Sequence, residues 1–101
     1  MIIATTEFSE VTATPTGLTW TSPPVPAGKR ILLRSFGASV NNGTVILKLG
    51  AQAIRVVVDG TVEFNQARGF IGTGGSFTIQ RINNSGTPRV VAAWIDALVE
   101  D

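Results

Sequence analysis

The sequence predicts an all-β domain, either a sandwich or a barrel of antiparallel strands. Turn signals recur about every 8–12 residues along the chain, a spacing typical of both folds. Between the turns, apolar and polar residues alternate with a period of two, which predicts half-buried strands. At 101 residues, the chain is expected to form a single domain over residues 1–101. The clearest inward-pointing residues are Val45, Leu47, Leu49, Phe77 and Ile79.

Two short strands are expected in the first quarter of the chain. Ile2 to Phe8 is rich in Thr and Ile, and we expect residues 1–8 to form an N-terminal strand or arm. Leu18 to Thr21 alternates over one further strand. That strand ends at Ser22-Pro23-Pro24, because proline cannot donate a ladder hydrogen bond.

The longest apolar stretch, Lys29 to Leu49, is interrupted by Asn41-Asn42-Gly43. Two β-rich runs divided by Asn-Gly are a strong hairpin signal, so we expect two strands joined by a tight turn. In the first run a strict period of two would place the apolar residues on opposite faces. A β-bulge near Arg34-Ser35 would turn all of them inward. These residues are Ile31, Leu33, Phe36, Ala38 and Val40.

The middle of the chain continues the pattern of strands and turns. Ile54, Val56 and Val58 alternate with Arg55 and Val57, and we expect Val56 to be buried. Asp59-Gly60 is a second hairpin signal. Asn65 to Gly75 has no regular period and is expected to be irregular.

The last apolar run, Arg89 to Val99, fits two structures. Its alanines favour a helix, whereas its β-like start and the strands before it favour a strand, which we prefer. As a strand it is apolar on both faces, and a single sandwich cannot cover the second face. We therefore expect a homo-oligomer, for example a cyclic trimer, with Val90, Trp94 and Leu98 at the contact.

The composition argues against most enzyme classes. The chain has no His and no Cys, so the most common general base and the soft metal ligands are missing. The acidic residues lie mostly in turns, near the termini or on outward strand positions, which favours solvated carboxylates over a catalytic pair. We expect a protein that is not an enzyme and that holds no cofactor or metal.

Charge and hydropathy bear on the possible partners. The net charge is +1, and no basic stripe indicates a nucleic-acid or membrane surface. Charged residues make up 15% of the chain, below the usual share of about 25%, which suggests that a partner covers part of the surface. The chain has no signal-peptide pattern and no apolar run near the about 18 residues of a membrane helix, so we expect synthesis in the cytoplasm without export.

The two tryptophans are the other candidate binding residues. Trp20 and Trp94 could stack on sugar rings if they face solvent. Packing in the core or at a subunit contact is the simpler interpretation, because tryptophan is common in both places.

Several segments resemble a family of small β-sandwich proteins from tailed bacteriophages. They are Pro24 to Lys29 with the aliphatic strand after it, Asn41 leading into Thr44 to Leu47, Gly74 to Ile79, and Val90 to Glu100. The members of that family are accessory virion proteins, either head decoration proteins or tail-associated structural proteins. The resemblance covers about three quarters of the chain and carries no catalytic residue.

The resemblance implies a jelly-roll-like antiparallel β-sandwich with a structural role. The expected function is capsid decoration or stabilisation, in contact with other virion proteins. The alternative is a carbohydrate- or host-receptor-binding module of a phage tail that uses Trp20 or Trp94. The N-terminal segment, with Ile2, Ile3 and Phe8, is a further candidate contact, because a β-prone terminus can add a strand to a partner's sheet.

Overall fold

The computed structural model describes residues 1–64 and 68–100, and these residues form seven strands and no helix. The all-β prediction is confirmed, and so is the strand interpretation of the last run. A strand also lies within the stretch that was expected to be irregular; residues 65–67 of that stretch are outside the described residues. The strands are β1 (Ile2–Val11), β2 (Leu18–Thr21), β3 (Arg30–Leu49), β4 (Gln52–Phe64), β5 (Arg68–Ile71), β6 (Phe77–Asn83) and β7 (Arg89–Val99).

The described strands form one antiparallel sheet with the order β1-β7-β3-β6-β2. Strands β4 and β5 pair with the other edge of β3. The sheet curls through 262° and is nearly closed, like a barrel. A division into two separate sheets is not seen in the strand pairing.

The longest strand, β3, connects the two halves of this curled sheet. Along one edge it pairs with β7 over residues 31–39 and then with β6 over residues 43–49. A straight strand of 20 residues would be about 66 Å long, whereas the longest dimension of the molecule is 43 Å. Strand β3 therefore has to bend.

The bend lies at Asn41-Asn42-Gly43, where the sequence predicted a hairpin turn. That prediction is wrong, as is the turn predicted at Asp59-Gly60, because β3 and β4 both continue through these residues. The two segments lie opposite each other, since Val40 pairs with Gly60 and Thr44 pairs with Val58. Three residues of β3 thus face one residue of β4, which is a bulge rather than a turn.

Backbone conformation explains why turn-type residues are found at this bulge. Asn42 has a φ of 54° and Asp59 a φ of 45°, a left-handed conformation that Asn and Asp tolerate better than other side chains. The Asp59 carboxylate accepts a hydrogen bond of 3.2 Å from the Gly43 amide. The same residue preferences serve a turn and a bulge, so the sequence signal does not distinguish the two.

Two further bulges set which residues face the core. The bulge predicted near Arg34-Ser35 is confirmed, because the pairing with β7 shifts between Leu33 and Ser35. A second bulge at Ile54 was not predicted; Leu47 pairs with Arg55, but Lys48 pairs with Ala53. It turns Val57 inward and leaves Val56 52% exposed, so the prediction of a buried Val56 is wrong.

The core fills the interior of the curled sheet. Leu47 is buried as predicted, and so are the inward residues of β3, β6 and β7. Trp20, Ile54 and Phe70 pack against the core while remaining partly exposed. The largest fully buried side chains are Arg81, Phe36, Phe77, Ile31, Leu33, Leu47 and Ile79.

Candidate interaction surface

Strands β1, β7 and the first part of β3 present an uncovered apolar face to solvent. The pairing register places Leu98 between Ile2 of β1 and Leu32 of β3, and all three point outward. Further along β7, Val90 is also exposed, and on β1 so is Phe8. We call Ile2, Phe8, Leu32, Val90, Trp94 and Leu98 the apolar outer face.

Large side chains on this face remain accessible. Phe8 is 73% exposed, Ile2 63% and Val90 50%. Single exposed apolar residues are common on protein surfaces, but a group of them on three neighbouring strands is typical of an interaction site. The sequence correctly predicted that Val90, Trp94 and Leu98 share one face of a strand. The contributions of Ile2 and Leu32 depend on long-range pairing that no local pattern reveals.

The N-terminal segment is part of the sheet rather than a free arm. Strand β1 pairs with β7 over its whole length, and the Met1 amino group donates a 3.0 Å hydrogen bond to the Val99 carbonyl. Ile3, a candidate contact residue, points into the core and is 3% exposed. Ile2 and Phe8 alternate with it and lie on the outer face.

The two tryptophans occupy different environments. The Trp94 ring covers Gly37 so closely that a Cβ at position 37 would overlap it. Trp94 is therefore held against the sheet surface, half-buried, in the middle of the apolar outer face. Trp20 pairs with the buried Ile79 and packs against the core from β2. Strands β3 and β6 separate β7 from β2 in the sheet, so the structure does not combine the two rings in one site.

Two arginines on and near this face form ion pairs with carboxylates. Arg34 and Asp96 form an ion pair of 2.8 Å within the face, and Arg30 and Glu100 form one of 3.1 Å at its end. Both pairs are substantially exposed, so each contributes little to stability. Their effect is to leave the centre of the surface without a net charge.

A groove of about 780 Å³ lies where the apolar outer face ends. Leu32, Leu98, Ile71 and Met1 contribute its apolar walls, and Arg30 and Glu100 contribute its charged rim. The groove extends the apolar outer face toward β5.

A buried polar cluster ties β1 to β6 on the opposite side of these strands. Arg81 is completely buried. One terminal guanidinium nitrogen donates to the Val91 carbonyl at 3.0 Å. The second terminal nitrogen donates to the carboxylate of Glu7 at 3.3 Å and to the hydroxyl of Ser9 at 3.2 Å. The sequence analysis did not predict this cluster, although Arg81 shares the inward alternation of Phe77 and Ile79.

These interactions limit the chemistry that the described side chains offer. Glu7, Asp96 and Glu100 each form an ion pair with an arginine. Among residues 1–64 and 68–100, no three acidic, His or Cys side chains are grouped as metal ligands would be. The same residues include no helix long and apolar enough to span a membrane. The apolar outer face is the most distinctive candidate site on this part of the chain.

No protein-family model matches the chain, and neither a curated protein nor a solved structure was found to be similar to it.

Proposed function

We propose that this protein is a non-enzymatic structural component of a tailed-bacteriophage virion, a capsid decoration protein that binds other virion proteins through its apolar outer face. The observation that carries the proposal is the group of exposed apolar side chains on the neighbouring strands β1, β7 and β3, with Phe8 73% and Ile2 63% exposed. A surface of this kind is costly in water and is stabilised when a partner covers it.

The jelly-roll-like sandwich is the finer fold that accompanies this proposal. Its support is the bend in β3, because the parts of β3 before and after the bend pair with different strands. Arg81 of β6 then reaches Glu7 of β1 across the interior. The two halves of the curled sheet act as two facing layers that share the β3–β4 hairpin.

The mode of binding follows from the side chains of the face. Phe8 and Trp94 are aromatic, and aromatic residues are enriched among the residues that dominate interface energies. Arg34 and Asp96 already neutralise each other at 2.8 Å, so long-range attraction contributes little. Binding rests on shape complementarity and the removal of apolar area from water.

The test is co-sedimentation with phage particles that lack this protein. The wild-type chain should pellet with the particles, and Val90→Asp and Leu98→Asp should each reduce binding at least about tenfold because a carboxylate would be desolvated at the contact. Val58→Asp is the matched control, since Val58 is 63% exposed on β4, outside the apolar outer face. Substitutions are preferable to deleting residues 1–8, because β1 pairs along its whole length with β7.

Three outcomes would contradict the proposal. The first is that the wild-type chain fails to pellet with particles of its own phage, which would exclude decoration. The second is equal loss of binding in Val90→Asp and Val58→Asp, which would place the contact elsewhere. The third is that Val90→Asp and Leu98→Asp abolish a trimer while leaving particle binding unchanged, which would assign the face to sister subunits.

A carbohydrate- or host-receptor-binding role is the second candidate, and the position of Trp94 favours it. A half-buried ring held against Gly37 resembles a platform on which a sugar could stack. Glycan-array binding that is lost in Trp94→Ala, with quenching of tryptophan fluorescence by the same sugar in a Trp20→Phe background, would support this role. Absence of binding to any glycan would exclude the carbohydrate-binding role.

A further inference from the structure

Among the described strands, four have one edge that no other described strand pairs with, and three of these edges are protected against pairing. Strand β2 has four residues and is followed by Pro23 and Pro24. Strand β5 also has only four residues. Strand β4 is longer, but the bulge at Ile54 and the positive φ angles of Asp59 and Gly60 interrupt it. Short length, proline and bulges are the usual means by which proteins prevent edge-to-edge association.

The remaining edge, on β1, has none of these protections. Its ten residues pair with β7 in a register without a shift, and they include no proline, lysine or arginine. No other described strand pairs with its outer edge. A long and regular edge without proline, lysine or arginine is a template for another strand.

The register with β7 identifies which backbone groups face this edge. Met1 and Val99 exchange two hydrogen bonds, with the Val99 amide donating to the Met1 carbonyl at 2.8 Å and the Met1 amino group donating to the Val99 carbonyl at 3.0 Å. In an antiparallel pair, hydrogen-bonded residue pairs alternate along the strand with non-hydrogen-bonded pairs. The odd-numbered residues of β1 therefore bond to β7. The amides and carbonyls directed toward the free edge belong to Ile2, Ala4, Thr6, Phe8 and Glu10.

We propose that two copies of this chain associate by antiparallel pairing of their β1 edges about a two-fold axis at Thr5. In this arrangement Ile2 lies opposite Phe8 of the second copy, Ala4 opposite Thr6, and Thr5 opposite Thr5. The overlap of seven residues is about 23 Å long. Each of the four pairs formed by even-numbered residues exchanges two hydrogen bonds.

The side chains favour this register over its neighbours. It joins Ile2 and Phe8, two of the most exposed apolar residues of the chain, and does so twice by symmetry. A centre at Thr6 would instead place Ile2 opposite Glu10. A centre at Glu7 would place two carboxylates opposite each other, which is destabilising, whereas a Thr-Thr pair is favourable.

The dimer goes beyond the proposed function and is independent of it. It joins the apolar outer faces of two copies along one edge, leaving Val90, Trp94 and Leu98 uncovered in both. Particle binding and dimerisation can therefore fail separately, and the two sets of variants distinguish them.

The first test is sedimentation of the wild-type chain and two variants at Thr6. We expect the wild type at tens of micromolar to sediment with twice the chain mass of 10.6 kDa. Thr6→Pro removes an amide that faces the free edge and should weaken the dimer at least about tenfold. The matched control, Thr6→Val, keeps the amide and a β-branched side chain, so its dimer should match the wild type. A monomeric wild type at these concentrations would overturn the proposal.

The second test fixes the register and does not require Thr6→Pro to fold. The chain has no cysteine, so single cysteines report only the new contact. Thr5→Cys places the two sulfurs at a non-hydrogen-bonded pair, where the Cα atoms are about 4.5 Å apart and a disulfide can form. Under mild oxidation Thr5→Cys should cross-link, whereas Ser9→Cys, which lies opposite Met1 of the second copy, should not. Equal cross-linking of the two variants, or none in Thr5→Cys, would overturn the proposed pairing.

Discussion

At the scale of single residues, position 37 shows how the absence of a side chain determines the shape of the apolar outer face. Gly37 pairs with Trp94 across β3 and β7, and the indole ring occupies the space that a Cβ would need. The ring consequently lies against the sheet instead of projecting from it.

Gly37→Ala should therefore displace the Trp94 ring toward solvent. We expect a red shift of Trp94 emission, measured in a Trp20→Phe background, and a loss of about 1–3 kcal/mol in the free energy of unfolding from overpacking. Gly69→Ala is the control, because an added Cβ there would meet no atom within 4 Å. If the two substitutions have the same effect on emission, the ring does not depend on Gly37.

Leu47 and Val56 provide a second contrast between residues. Leu47 is completely buried, whereas Val56 is 52% exposed. Leu47→Ala should lower the free energy of unfolding by about 2–5 kcal/mol because it leaves a cavity. Val56→Ala should change it by less than about 1 kcal/mol. Chemical denaturation of the two variants measures both values, and a Val56→Ala cost as large as that of Leu47→Ala would contradict the observed register of β4.

At the scale of elements, the bend in the β3–β4 hairpin requires a left-handed residue at Asn42. Asn42→Val should destabilise the protein by about 1–2 kcal/mol, because a β-branched residue is strained at a φ of 54°. Asn42→Gly should be tolerated. Asn41→Val is the matched control, since the neighbouring position is exposed and has no positive φ. Thermal unfolding measures the differences; equal stability of Asn42→Val and Asn41→Val would show that the bend does not depend on Asn42.

The Arg81–Glu7 pair links β1 to β6, and a double-mutant cycle can measure its contribution. Glu7→Leu alone leaves the buried Arg81 without its carboxylate partner and should destabilise the protein by about 3–5 kcal/mol. The double variant Glu7→Leu/Arg81→Met removes both charges and should cost less than the sum of the single variants. Additive effects within about 0.5 kcal/mol would mean that the two side chains are not coupled.

The same elements show how far the sequence could predict the structure. Alternation alone identified the inward residues of β6 and β7, because both strands are regular. It failed for Val56, because the bulge at Ile54 exchanges the inward and outward positions of β4 after it. No glycine or other unusual residue at Ile54 indicates that bulge in the sequence. It failed at Asn42 and Asp59, because turns and bulges select the same residues.

The candidate site was predicted only in part, and the reason is again physical. The two apolar faces of β7 predicted that Val90, Trp94 and Leu98 lie together. Their neighbours Ile2 and Leu32 are about 60 to 100 residues away in sequence, so only the strand order brings them to the same face. The position of the Trp94 ring depends on its contact with Gly37 on β3. The alternation of apolar and polar residues does not predict a contact between two strands.

At the scale of the whole molecule, the near balance of charges predicts how particle binding should respond to salt. The net charge is +1, and ion pairs neutralise the arginines of β3 at the binding face. Raising the salt concentration from about 0.1 to 1 M should change the fraction bound to particles by less than about twofold, because screening has little attraction to remove. A loss of more than about tenfold in co-sedimentation would indicate an electrostatic contact instead.

The pairing of β1 with β7 also has a consequence for how the protein is made. Strand β1 is synthesised before the strands it joins, and its partner β7, which begins at Arg89, follows about 80 residues later. During that interval Ile2, Ile3 and Phe8 have no sheet to join, and their β-prone segment is exposed to other nascent chains. The order of synthesis therefore makes β1 one of the last of these strands to pair, although it is made before them. Rapid completion of translation, or a chaperone that holds the N-terminal segment, would protect the newborn chain from premature association.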